Sequence, residues 1–219
     1  MANATITNAL IVPPVPALPL GPVGYSREYQ DQLNRVLRLY FQQLGGAFAS
    51  FTAEAGGRFG SIPCGSFFSN IAQTATANTA TVLTLNNTDT NATIATALSN
   101  GSIQVTYSGI YNYQFSAQLV NSDTKDWNVD IWIRVDGANS IDSAGEITVP
   151  GKHGQGNGAV IAAWNFLVVA QANSVIDLVW VTPSTDVVLA YEPSVSSPYA
   201  RPAIPSVIST VTFVSRLPT

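Results

Sequence analysis

The chain has 219 residues, enough for one generous β-domain with an appendage, and only 10% of them are charged against about 25% in ordinary soluble domains. With 46% hydrophobic residues and little charge to make a solvated skin, part of the surface is expected to be covered by other protein. Thirteen acids and nine bases are scattered without runs, net −4, which excludes the basic footprint of a nucleic-acid binder, and the single cysteine, Cys64, excludes an internal disulfide or a cysteine-built zinc cage.

Residues 1–24 lack the basic start of a signal peptide, and their five prolines (Pro13, Pro14, Pro16, Pro19, Pro22) interrupt a short apolar run. No stretch is long enough to span a bilayer, and membrane insertion is not expected. Proline fixes φ and withholds a donor, so this piece reads as extended, polyproline-like and unable to join a sheet interior. Interleaved with the prolines are Leu10, Ile11, Val12, Val15, Leu18, Leu20 and Val23. Linkers are normally polar; an apolar extended arm is expected to dock on a partner.

Residues 25–46 predict a helix, with Ser26 as N-cap, Glu28 and Asp31 in the first turns, and Gly45-Gly46 as the stop. Tyr29, Leu33, Val36 and Tyr40 follow 4-3-4 spacing, as do Leu33, Leu37, Tyr40 and Leu44, which marks one contact stripe. Whether that stripe packs on its own chain or around a symmetry axis is left open. Residues 47–61 read as a connector.

From residue 62 to 219 no helical period recurs. Strand-like runs at 62–69, 81–85, 92–98, 102–107, 110–120, 127–136, 145–149, 159–170, 174–181, 186–191 and 204–214 are separated by Gly, Asn, Asp and Pro clusters. This pattern predicts an all-β sandwich. Cys64, at its start, is expected as a small buried hydrophobe.

No catalytic, cofactor or metal site is expected. The one histidine, His153, stands among glycines in "PGKHGQGNG", whereas a catalytic base must be held by a rigid frame. Asp123, Asp126, Asp130 and Asp136 lack a calcium-loop pattern and read as solvated turn acids. The glycines of "GQGNG" neither follow a strand nor open a helix, as a phosphate loop requires. Trp127, Trp132, Trp164 and Trp180 are expected in the core or at a subunit contact rather than on a sugar platform.

The stretch "SGIYNYQFSAQL" (108–119) alternates Tyr111, Tyr113, Phe115, Ala117 and Leu119 with Asn112, Gln114, Ser116 and Gln118. Its Gly109, Tyr111, Tyr113 and Phe115 resemble the Gly-x-Tyr-x-Phe-x-Phe strand of the tumour necrosis factor and complement-type globular-head superfamily. "DIWIRVDG" with its Asp136-Gly137 turn is similar to the next strand, "AVIAAWNFLVVAQANSVIDLVWV" to a following hairpin, and "SVISTVTFV" to a closing central strand. The resemblance implies a ten-stranded jelly roll that assembles as a homotrimer through one sheet. Carried over, Asn112, Gln114 and Ser116 would face two other copies near the threefold axis, where uncharged amides avoid like-charge repulsion.

The arm and the helix "YSREYQDQLNRVLRLYFQQL" ahead of a jelly roll resemble a class of tailed-phage virion proteins, notably of marine phages. This second resemblance implies a virion location, and a trimer docked on capsid or tail proteins through its arm and helix, as a decoration or short fibre. An adhesin head that recognises a host glycan or receptor through loops such as 151–158 is the alternative.

Overall fold

The computed structural model describes residues 14–21, 23–52, 64–89 and 95–217, in two units, Met1–Ile62 and Pro63–Thr219. In the first unit, α1 (Arg27–Thr52) begins where Ser26 caps it, the Tyr29 amide donating to Ser26 Oγ at 3.3 Å. The expected stop at Gly45-Gly46 is not used, and residues 47–52, expected in a connector, belong to α1. Neither glycine takes a positive φ. Paired glycines end a helix by turning left-handed; kept helical, they weaken it by roughly 1 kcal/mol each relative to alanine.

Tyr29, Leu33, Val36, Leu37, Tyr40 and Leu44 are half-buried, so the stripe read from spacing is one face of α1, whereas Leu39, Phe41 and Phe48 are exposed. Of the arm, Val15, Leu18, Leu20 and Val23 are exposed; Leu10, Ile11 and Val12 lie outside the described residues.

The second unit is the jelly-roll sandwich, with two antiparallel sheets of seven strands each among the described residues. Among the described residues, ten strands have three or more residues: β1 (Cys64–Ser69), β5 (Ala95–Ala97), β6 (Ile103–Val105), β7 (Gly109–Asn121), β8 (Trp127–Val135), β10 (Gly145–Val149), β11 (Gly158–Ala170), β12 (Val175–Val181), β13 (Val187–Leu189) and β14 (Val207–Ser215). Four two-residue strands complete the set: β2 (Gln73–Thr74), β3 (Thr81–Val82), β4 (Asn87–Thr88) and β9 (Ala138–Asn139). In the first sheet β7 is central, paired along its whole length with β11 on one side and with β14 and then β13 on the other, while β14 also pairs with β1. The second sheet runs β10-β8-β12-β6-β5.

The stretch 159–181 is not a hairpin. β11 pairs with β7 in one sheet and β12 with β8 in the other, so the turn at 171–174 carries the chain across the sandwich. Two adjoining apolar runs look alike in sequence whether they pair with each other or face each other across a core. Asp136-Gly137 does make the tight turn expected of it, with φ of 50° and 81°, joining β8 to β9.

Every second residue of β7 from Tyr111 to Leu119 points inward and is buried, against Val129, Ile131 and Ile133 of β8 and Ile176, Leu178 and Trp180 of β12 in one core. Gly109 has a packing reason: a Cβ there would lie 2.3 Å from the Phe213 ring. That ring meets Tyr111 edge-on, with centroids 5.5 Å apart.

Candidate assembly surface

Strand alternation puts Asn112, Gln114 and Ser116 on the side of β7 that faces away from the core, with Gln114 exposed and the other two half-buried. Register then builds a surface around them. Asn112 lies between Thr212 and Leu167, Gln114 between Thr210 and Asn165, and Ser116 between Ile208 and Ala163. The amide of Asn165 reaches Asn112 Oδ1 at 3.5 Å.

Apolar side chains flank this amide row at both ends. Toward one end are Leu167, Val169 and Val214, exposed by 71%, 59% and 55%; toward the other are Ile161 and Ile208. No outward-facing position of β1, β14, β7 or β11 is charged. The opposite face of the sandwich differs: Asp130 and Arg134 of β8 and Glu146 of β10 point outward there. With five exposed aliphatic side chains and no charge, this face lacks the charged groups of a solvated skin.

Sequence reasoning found the amide row but missed Ile161, Leu167, Val169, Ile208 and Val214. Strand β11, "GAVIAAWNFLVVA", is apolar at both phases, so alternation offered no contrast. Its inward phase, including Trp164 and Phe166, packs on the core, with Trp164 edge-on to Phe115 at 4.8 Å.

His153 and three of the four aspartates make local hydrogen bonds. His153 closes a small loop, exchanging backbone hydrogen bonds with Gly156 around Gly154 at φ 61°. The Asp123 carboxylate accepts from Trp127 Nε1 at 2.9 Å and from the Thr124 amide, and the indole contact is the main cause that holds its pKa below the usual range. Asp126 accepts from the Gly151 amide, and Asp136 from the Ser174 hydroxyl and the Val175 amide. Among the described residues no group of acids, histidines or cysteines is arranged to hold a metal.

Of the tryptophans, Trp180 is fully buried, Trp127 and Trp164 border the core, and Trp132 points outward, half-buried, donating to Asn139. Cys64 is exposed, which corrects the expectation of burial. It opens β1 in the outward phase, and neighbouring Gly65 takes the inward one. Residue type favours burial of cysteine; phase in the strand decides it.

No protein-family model matches the sequence, nor does any curated protein. Among solved structures, the globular domain of the zebrafish complement 1qA protein aligns with 71% of this chain and 99% of its own, at 10% identity and TM-score 0.43. A TNF named Eiger from S. frugiperda aligns over 72% and 96%, at 9% identity and TM-score 0.47. Strand order and register define the fold.

Proposed function

We propose that this chain is a structural component of a tailed-phage particle, without enzymatic activity. Three copies assemble through the outward face of the sheet β1-β14-β7-β11, the N-terminal unit docks on a capsid or tail protein, and the jelly roll projects as a decoration or short fibre. The observation that supports this best is the uncharged, aliphatic-flanked amide row of Asn112, Gln114 and Ser116. Amides can satisfy one another across an axis, and the aliphatic flanks supply area whose removal from water drives association. The low overall charge of the chain agrees with a protein that is largely covered in its working state.

One feature favours a second reading, an adhesin head for a host glycan or receptor. Tyr199 is 66% exposed on the loop between β13 and β14. Arg201 pins that loop by donating to Pro193 O and Pro202 O and pairing with Glu192.

The test has two arms. Sedimentation of the full chain is expected to give a trimer, and a monomer at micromolar concentration would overturn the assembly. Antibody labelling of purified particles from the source of the gene is expected to decorate them. Unlabelled particles would remove the virion assignment and leave the assembly reading standing.

A further inference from the structure

Prolines recur every third residue in the arm, at 13, 16, 19 and 22. Three residues is one turn of a polyproline helix, so a helix of that kind sets the rings of Pro16 and Pro19 on one face. The described part of the arm follows that division: Pro16 and Pro19 are half-buried, whereas Val15, Leu18 and Leu20 are exposed by 89%, 53% and 96%. Burial on the proline face means something lies against it.

Four further observations identify what lies there. The chain bends at Val23 and Gly24, just before α1. A Cβ placed on Gly21 would lie 3.7 Å from the Tyr29 hydroxyl, so this end of the arm lies against a side chain of the first turn of the helix. On α1, the half-buried residues are those of the Tyr29 stripe, while Leu39, Phe41 and Phe48 outside it are exposed by 51%, 61% and 62%. Arm and helix also fall in the same unit of the chain.

We infer that residues 14–21 run antiparallel along α1 of the same chain as a proline ladder. Pro19 and Pro16 are seated on the stripe of Tyr29, Leu33, Val36 and Tyr40. The repeats match: two prolines one polyproline turn apart are about 9 Å from each other, and helix residues seven apart, such as Leu33 and Tyr40, about 10.5 Å. Starting from Gly21 beside Tyr29, Pro19 falls about level with Leu33 and Pro16 about level with Tyr40, since one arm residue spans roughly two helix residues. The helix stripe is therefore occupied by its own chain, and the face left for a partner is the aliphatic row Val15, Leu18 and Leu20. This inference does not rest on the virion reading.

Spin labels at Ala17→Cys and Arg38→Cys, in the full chain with Cys64→Ser, test it. The ladder puts the two labels within about 20 Å; an arm continuing away from the helix separates them by roughly 35–40 Å. Dipolar broadening at the short distance, unchanged on dilution with unlabelled chain, is the expected result. A distribution centred at the long distance overturns the inference, as does a short-distance signal that dilution abolishes, which would mean the arm covers a neighbour's helix. Hydrogen exchange gives an independent reading. Pro16→Gly with Pro19→Gly should speed exchange of the α1 amides by tenfold or more, while Leu18→Ala, on the outward face, should not. Equal effects, or none from the proline pair, count against the ladder.

Discussion

Replacing Gln114 by glutamate separates folding from assembly. The side chain is exposed on the outward face of β7 and contributes nothing to the core, so the monomer's stability should change by no more than about 0.5 kcal/mol. In the proposed threefold assembly the same substitution brings three carboxylates together. At a separation of about 8 Å and an effective dielectric constant of about 20, each pair repels by roughly 2 kcal/mol. Three pairs give roughly 6 kcal/mol, about four orders of magnitude in the association constant, before any desolvation cost is added. The repulsion raises the carboxyl pKa in the assembled state above its free value of about 4.3. The penalty is therefore absent below that free value and grows as pH rises through it to the assembled-state pKa. Analytical ultracentrifugation should show monomer at pH 7, partial recovery in high salt through screening, and trimer again below about pH 4. A trimer of unchanged affinity at pH 7 and low salt would refute the placement of Gln114 at the subunit contact.

Tyr113 is fully buried and donates to Ser209 Oγ at 3.1 Å; burial pushes its pKa far above the usual range, only partly offset by that hydrogen bond. The raised folded-state value gives stability that is intact below the unfolded tyrosine pKa of about 10 and is lost as pH rises above it. Ultraviolet titration near 295 nm should accordingly show a tyrosine ionisation step that coincides with unfolding and loses one tyrosine's amplitude in Tyr113→Phe. Gly158→Ala should cost at least 2–3 kcal/mol, or about 5–10 °C in Tm, because its Cβ would fall 1.7 Å from Pro150 O. Gly156→Ala, whose nearest neighbour is His153 O at 3.7 Å, should leave Tm within about 2 °C, and calorimetry compares the two directly. His153→Ala should preserve both Tm and sedimentation, since the loop it closes is held by backbone hydrogen bonds.

The sequence by itself determined the sandwich and the phase of its strands. Period-2 alternation in β7, where Tyr111, Tyr113 and Phe115 oppose Asn112, Gln114 and Ser116, is a local property of a pleated chain, and any fold using that strand must separate the two sets. The stripe of α1 was legible for the same reason, since a 3.6-residue period projects Tyr29, Leu33, Val36 and Tyr40 to one side. Tertiary structure alone decided what those faces meet. Only the pairing of β7 with β11 and β14 gathers Leu167, Ile161 and Ile208 around the amide row, because register joins residues about forty to ninety positions apart in sequence. Only the crossing of the chain between sheets showed that 159–181 is two strands of different sheets. The helix end shows the opposite limit: Gly45-Gly46 carries a local stop signal, and the helix continues to Thr52 because a glycine pair allows a left-handed turn without requiring one.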